Sequence, residues 1–439
     1  MISTAALRSA VDAARTAGAA AADAYHRLSR TRFVVKEPDG RLTHGTRLQE
    51  GLAVRAWPDA GAEGACGFAA GSGESETVAV ALGERAAAAA RGLSPVDAPQ
   101  PGSTGEAVAG TVPSPPTVAD FDAAVLRATP AEMTRLLGRF EAACGAVRRP
   151  GLLWALGVEL HLAVIESRLV RADGELLTRR ASLASAQVRF PSAFGLGRLE
   201  IVTRRLAALD STLLARMLAP YPVAASVLPR VWVDPAGTTG SPLTLALAPP
   251  ATAAVAVVVA RQAARRGAPL HWAAPATLTD EPLIDWGPGS VPWDAAGRPV
   301  ASVRLAGPAG ESPATGGAGA PAGPGRLRLP MMRTSVRERP VGVPTNLVLA
   351  DLPADGGGTG GRRLHLLEMI AARDEGWLAR GVLQEENGDR SAVLVRLAGQ
   401  VGDLFRGDLR AGSLRACFAA GAFVSAPELV LPAAAIVER

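Results

Sequence analysis

The sequence predicts an α+β protein: an N-terminal mixed α/β domain whose helices flank an antiparallel sheet, then a β-rich C-terminal domain. Three observations predict it. Alanine-rich stretches with helical spacing alternate with strand-like runs in the first half. The triplets Pro38-Asp39-Gly40 and Ala172-Asp173-Gly174 separate such runs, as hairpin turns do. Beyond Pro220 and Pro222 the apolar runs are short and read as strands or strand edges.

Taken in order, residues 3 to 20 read as a helix with Leu7, Val11 and Ala14 on one face, ending at Gly18. Four short strand-like runs follow, Phe33–Lys36, Arg41–Arg47, Gly51–Trp57 and Ala65–Ala70, and then a helix over Glu74–Arg91 closed by Gly92. Residues 94–117 are rich in Pro, Gly, Ser and Thr and read as a connector. Asp120–Ala128 comes next. Pro130–Gly145 reads as a helix with Met133, Leu136, Leu137 and Phe140 inward. Long strands over Leu152–Arg171 and Glu175–Phe190, a run at Arg198–Arg204 and a helix at Leu209–Leu218 complete the half. The second half reads as strands at Val231–Asp234, Leu243–Ala248, Val255–Val259, Val300–Leu305, Leu347–Asp351, Trp377–Gln384, Ala392–Val401 and Gly402–Leu409. This divides the chain into an N-terminal domain, 1–220, with subregions 1–93 and 118–220, and a C-terminal domain, 221–439. The low-complexity stretch 307–325 of Gly, Pro and Ala reads as a flexible loop.

Composition removes several functions. The chain has 439 residues and 48% hydrophobic content, with 46 basic against 41 acidic side chains. Lys36 is the only lysine, which excludes a GxxxxGK[ST] phosphate loop. A net charge of +5 is modest for this length, and aromatic residues are few, so no nucleic-acid partner is expected. Arg8, Asp12 and Arg15 interrupt the N-terminal apolar residues, and Pro249-Pro250 breaks the longest apolar stretch. No membrane association is expected, therefore, and the location expected is the cytoplasm. Cys66, Cys144 and Cys417 form neither a CxxC pair nor a disulfide framework.

The residues alone assemble no active site. No two of the five histidines fall within five residues of each other. His161 shares a strand face with Glu159, and a helix would bring His365 beside Glu368; both read as structural or surface pairs. Ala70-Gly71-Ser72-Gly73 reads as a turn, not a nucleophile elbow. Asp280, Glu281, Asp285 and Asp294 fall within fifteen residues, among prolines and glycines where carboxylates cap turns. Arg55 reads as a solvated strand residue, and Trp232, Trp272, Trp286 and Trp293 as core.

Two stretches point to a family. Leu278-Thr279-Asp280-Glu281-Pro282-Leu283, Gly287-Pro288-Gly289-Ser290, Trp293-Asp294 and Gly297-Arg298-Pro299 together resemble the DDP, GxGS and (F/Y)DDEG elements of TldD/PmbA (TldD/TldE) peptidases. Pro344-Thr345-Asn346-Leu347 resembles the family's TN element. Gly18–Asp23, Gly51-Leu52-Ala53-Val54-Arg55, Gly67-Phe68-Ala69-Ala70 and Val231-Trp232-Val233-Asp234-Pro235 resemble further family elements in the right order. The resemblance implies a zinc metallopeptidase fold that acts on unfolded peptides, including leader segments of ribosomal natural products. It also marks Asp280, Gly289, Ser290, Trp293, Asp294, Gly297, Thr345 and Asn346 as peptide-binding or chamber candidates. From the residues alone, the glycine-flanked positions equally shape a turn, and Thr345 and Asn346 equally cap a strand.

One departure matters. The family's catalytic member carries HExxxH on a helix after the VxDP strand, and here the corresponding residues 254–266 contain no His, Glu or Cys. The (F/Y)DDEG element is reduced to Trp293-Asp294-Ala295-Ala296-Gly297. The chain therefore resembles the metal-free TldE/PmbA-type subunit, with no catalytic or metal-binding residue of its own. The implied partner is a TldD-type subunit that holds the zinc, and the implied ligand an extended peptide. A stand-alone, homodimeric peptide-binding scaffold is the alternative.

Overall fold

In a computed structural model of the chain the N-terminal half is built on one antiparallel sheet. The structure describes residues 2–58, 66–73, 75–92, 115–147, 156–192, 195–219, 230–232, 243–271, 277–308, 327, 329–332, 337, 340–350, 362–373, 376–398, 410–411, 416–419, 422–425 and 429–431. Helix α1 (Thr4–Thr16) starts on Ser3, whose hydroxyl accepts from the Ala6 N–H. Strands β1 (Ala21–Lys36), β2 (Leu42–Trp57) and β3 (Gly67–Gly71) follow, then α2 (Glu76–Arg91), α3 (Ala123–Arg127) and α4 (Pro130–Gly145). A capping box of Thr129 and Glu132, with Pro130 in the first turn, sets where α4 begins. Strands β4 (Gly157–Val170), β5 (Leu176–Ser192) and β6 (Gly195–Thr203) and helix α5 (Ser211–Leu218) complete this part. The strand order is β3-β2-β1-β4-β5-β6.

The register assigns the two faces. Val34 lies opposite Leu160, Leu160 opposite Ala186 and Ala186 opposite Ile201, and all four side chains are buried with Met133, Leu137 and Phe140 of α4 and Leu214 of α5. The same face, further along, carries Ala22, Ala24, Leu52 and Val54 beneath α1 and α2. All five helices therefore cover one face. Burying a side chain such as Phe140 stabilises the fold by about 1.5–3 kcal/mol. The two first-half hairpin strands are longer than the short runs read from the sequence: β1 and β2 pair continuously from Ala21↔Trp57 to Lys36↔Leu42. Long-range pairing on both sides of β1 carries the strand through Arg27–Arg32, where local propensity is weak.

The second half contains β7 (Arg230–Trp232), β8 (Leu243–Leu247), α6 (Pro249–Arg266), β9 (Leu270–His271), β10 (Thr277–Asp280) and β11 (Val303–Gly307). Strands β12 (Met331–Met332), β13 (Val341–Gly342), β14 (Asn346–Ala350), β15 (Arg362–Arg373), β16 (Gly376–Gln384) and β17 (Arg390–Ala398) follow. The last are β18 (Arg410–Ala411), β19 (Ala416–Ala419), β20 (Ala422–Ser425) and β21 (Leu429–Leu431). They form a six-stranded sheet, β20-β19-β14-β10-β11-β9, a seven-stranded sheet, β18-β21-β8-β15-β16-β17-β7, and the small β12-β13 ribbon. Helix α6 packs with both larger sheets: Val255, Val259 and Ala263 share one core with Leu278, Leu305 and Leu347 of the first and Leu364, Leu366 and Val395 of the second. The stretch of α6 between the sheets, residues 251–260, is accordingly apolar save for Thr252, and its arginines gather at the C-terminal end.

Two readings of the second half are corrected. Val255–Val259, expected as a strand, lies inside α6. Pro249 and Pro250 at its start, 18 residues of mostly alanine and valine, and a left-handed Gly267 at its end define a helix, and tertiary burial overrides the β-propensity of valine. Arg362–Arg373 is a strand, so His365 and Glu368 do not meet on a helix; Glu368 accepts from Arg380 of β16 instead. Of the expected connector 94–117 only 115–117 are described, and of loop 307–325 only 307–308. Val233–Pro235, Trp272 and the strand expected at 402–409 lie outside the described residues.

Helices α1 and α2 approach so closely that a Cβ on Gly83 would lie 2.2 Å from the Ala10 carbonyl oxygen. Gly83→Val is expected to cost about 1–3 kcal/mol or more by overpacking against backbone that cannot yield. Gly138 of α4 has open space around it, so Gly138→Ala is expected to add about 0.5–1 kcal/mol. Urea midpoints with unchanged slopes would register both, with opposite signs.

Candidate functional site

The segment joining β10 to β11, residues 281–302, contains five of the eight candidate residues and almost no regular structure. Its own turns satisfy part of its backbone, as where the Val291 N–H donates to the Pro282 carbonyl and the Asp294 N–H to the Arg298 carbonyl, each at 2.9 Å, and the rest needs partners elsewhere. Most of those partners come from a buried side-chain knot at the start of β14 and from arginines on the sheet face opposite the helices, and the Trp286 N–H donates to the Ala119 carbonyl at 2.7 Å.

Asp280, the last residue of β10, is fully buried and anchors the knot. Its Oδ1 accepts from the Thr345 N–H at 2.8 Å, the Thr345 hydroxyl at 2.6 Å and the Asn346 N–H at 3.1 Å. The Asn346 side chain carries the network on. Its Nδ2 donates to the Glu281 carbonyl at 3.0 Å and the Ser290 Oγ at 2.7 Å, and its Oδ1 accepts from the Gly289 N–H at 2.9 Å. The Ser290 hydroxyl donates in turn to the Ile284 carbonyl. Five of the eight candidates, Asp280, Gly289, Ser290, Thr345 and Asn346, thus converge in one hydrogen-bonded group. Asp280 Oδ2 is buried without a partner. Burial pushes the Asp280 carboxyl up to about 6 despite the donors on Oδ1.

The other three candidates build a neighbouring turn. Asp294 Oδ1 accepts from the N–H groups of Ala296 and Arg298, and its Oδ2 from the Arg298 guanidinium at 2.8 Å. Gly297 closes the turn at φ +76°, and a Cβ there would also meet the Arg171 side chain at 2.7 Å. Trp293 is buried with Tyr25, Leu169 and Leu177 of the first sheet. The motif residues therefore lie against that sheet.

Arginines hold the segment there. Arg204, just after β6, donates to the carbonyls of Gly287, Pro288 and Ser290 at 3.2, 2.7 and 3.2 Å. Burial and the nearby Arg179 lower it to about 9. Arg179 pairs with Asp120 at 2.6 Å and also donates to the Ser290 carbonyl. Arg55 is buried, which corrects its reading as a solvated residue. It forms an ion pair with Asp23, directly opposite on β1, lies 5.0 Å from the Trp57 ring centroid and donates to the Ala295 carbonyl at 2.8 Å. Arg179 and Arg204 were not among the sequence candidates. The available signal was an arginine at Arg179 alternating with Leu177 and Ala181 on one strand face.

Further along the same sheet face lies a polar cleft of about 550 Å³, whose lining includes Arg47, Glu159, His161, Gln187, Arg189 and Glu200. Leu169, beneath Trp293, and His161 are eight residues apart on β4, so they share a face roughly 26 Å apart. His161 pairs with Glu159 at 3.1 Å, and Arg189 with the same carboxylate at 2.8 Å. Among the described residues no three His, Cys, Asp or Glu side chains gather as metal ligands. At the position where the resemblance puts a zinc helix, the donor set of α6 does not fit zinc: its side chains are Ala, Val, Thr, Pro, Gln and Arg.

The architecture is that of an α+β protein in which a helix-backed antiparallel sheet supports a β-rich second half. Known structures share it along nearly their whole length. TldE from Thermococcus kodakarensis superposes with a TM-score of 0.64 at 12% identity, covering 97% of this chain and 98% of that one. A putative modulator of DNA gyrase from Bacteroides thetaiotaomicron gives 0.64 at 14%, covering 98% of each chain. Another putative modulator of a DNA gyrase, from Thermotoga maritima, gives 0.60 at 12%, covering 97% of this chain and 98% of that one. No protein-family profile and no curated protein matches the sequence. The chain has the fold of TldE, as the resemblance implied. Among the described residues no helix is long and apolar enough to cross a membrane.

The knot makes a pH-dependent prediction. Folding raises the Asp280 carboxyl from 3.8 to about 6, so between these values the native state holds a proton that the unfolded chain has released. Stability is expected to fall as pH rises through about 4 to 6 and then level off. Asp280→Asn should abolish that slope, and Asp280→Ala, which orphans three donors, should cost about 3 kcal/mol or more at any pH. Thermal melts across pH 4–8 read all three. Arg204→Met is expected to cost a similar amount, because the carbonyls of Ser182, Gly287, Pro288 and Ser290 each lose a buried charged donor.

Proposed function

We propose that this chain is a TldE-type, non-catalytic subunit of a heteromeric zinc peptidase that trims unfolded peptides, leader segments of ribosomal natural products among them. The observation that carries the reading is α6. The fold matches TldE over 97% of this chain, and α6 occupies the place where the resemblance expects the zinc-binding helix of a TldD-type subunit. Its alanines and valines offer no ligand for zinc and fill a core between two sheets instead. The metal and the water it activates then belong to a TldD-type partner. This chain contributes walls to the substrate chamber.

The polar cleft on the first sheet supports the peptide part of the proposal. Side chains of both signs there suit main-chain amides and carbonyls of varied sequence better than one fixed ligand. Extended peptides can also join a sheet edge, where main-chain hydrogen bonds bind almost any sequence. The chamber role of Asp280, Asn346 and their neighbours would then be indirect: they hold the wall in place, and the peptide touches other groups.

An assay of an unfolded peptide tests this with the chain alone, a TldD-type subunit alone and the two combined. The combination is expected to cleave and this chain alone to leave the peptide intact. Cleavage by this chain alone, or a TldD-type subunit indifferent to its presence, would contradict the proposal. The second outcome, with peptide still bound by this chain, would leave a scaffold without protease partnership.

A further inference from the structure

The first sheet ends on a strand that is only half covered. β3 pairs with Leu52–Ala56 of β2, and among the described residues no strand pairs with the outer edge of residues 42–51. Leu42 and Leu48 stand there 42% and 58% exposed. The stretch contains no proline, and the charged residues that usually guard an edge are reduced to Arg47 and Glu50. Glu50 is itself turned to His26 at 2.8 Å.

The turn determines which backbone groups are free. The Glu37 N–H donates to the Arg41 carbonyl at 2.9 Å, which makes 37 and 41 a hydrogen-bonded pair. Such pairs alternate along an antiparallel ladder, so Thr43, Gly45 and Arg47 turn their N–H and C=O groups toward β1. Leu42, His44, Thr46 and Leu48 turn theirs outward. The same alternation makes Leu52, Val54 and Ala56 the outward residues where β3 pairs, as it must.

We propose that this edge pairs antiparallel with the same edge of a second copy of this chain, about a two-fold axis at Gly45. The sequence of the edge is complementary to itself in that register. Leu42 faces Leu48 of the other copy and His44 faces Thr46, each as a hydrogen-bonded pair whose outward groups are the free ones. Thr43 faces Arg47, so no like charges oppose each other. Moving the axis to Thr46 sets Leu42 against Glu50, and moving it to Arg47 sets that arginine against itself. Only the Gly45 register covers both exposed leucines with each other. Two six-stranded sheets become one continuous sheet, and the helix-covered faces stay on the same side. This surface is independent of the peptidase reading.

Light scattering on the full chain tests it. The unmodified protein is expected at twice its 44.9 kDa mass. Thr46→Pro removes an N–H that points away from β1, so it should leave the fold intact and halve the mass. Leu48→Lys should do the same, with unchanged far-UV circular dichroism in both. Thr43→Cys combined with Arg47→Cys places thiols opposite each other across the axis and should give a covalent dimer on mild oxidation. Thr43→Cys with Gln49→Cys, out of register by two, should behave as the parent chain does. A parent protein of single mass overturns the proposal, as does a dimer indifferent to both disrupting variants. A chain of single mass that gains a TldD-type subunit, and loses it in Thr46→Pro, also overturns self-pairing and assigns the edge to that subunit. Peptide hydrolysis plays no part in these readouts, so their failure leaves the peptidase proposal standing.

Discussion

The donation of arginine N–H groups to backbone carbonyls is the interaction on which the arrangement of this molecule rests. Residues 281–302 cross the first sheet with only turn hydrogen bonds of their own, and a buried carbonyl without a partner costs about 1–3 kcal/mol. Arg55, Arg179 and Arg204 supply donors to Gly287, Pro288, Ser290 and Ala295. A guanidinium suits this work because its planar fork offers several donors at once and sheds water more readily than an ammonium. Asp23 and Asp120 balance two of the charges. The result is a peptide plate bonded at one end of a sheet face, with an open cleft at the other.

The same contacts bear on β10, β11 and β14 in the second half. The plate leads out of β10 and back into β11, and the Asp280 knot ties it to β14. These three strands form one wall around α6, and β8 with β15–β17 forms the other. Confined between two sheets, α6 buries Ala251, Val255, Val259 and Ala263 and leaves only a narrow side, through Ala254, Val258, Arg261 and Arg265, partly open to water. A helix so enclosed favours alanine and valine, and a charged or ligating side chain there would need a partner or a metal to be tolerated. The absence of donors on α6 and its double burial are thus two aspects of one packing arrangement.

Much of the fold was legible in the sequence, and the failures have physical causes. Turn triplets, helix caps and the period of Met133, Leu137 and Phe140 gave the first half, because its helices are amphipathic and its hairpins local. Val255–Val259 read as a strand because β-branched residues usually mark one, and only the two-sided burial of α6 reverses that. Leu364-His365-Leu366-Leu367 read poorly because a strand flanked on both sides by others loses its alternation. At the site, Asp280, Ser290, Thr345 and Asn346 could be singled out together from motif resemblance. Their mutual contacts span 56 to 66 residues of chain, a pairing no local pattern contains. Arg55 read as solvated, and Arg179 and Arg204 were not singled out, because an arginine buried against carbonyls looks, in sequence, like any surface arginine.

A fold shared with TldE and a helix without zinc donors make one claim about where chemistry resides. Native mass spectrometry of this chain co-purified with a TldD-type subunit reads it directly, since the spectrum counts both chains and bound metal and dissociation assigns the metal to one of them. One copy of each chain per unit, with zinc leaving on the TldD-type subunit, is the result expected. Zinc retained by this chain after dissociation would contradict the account.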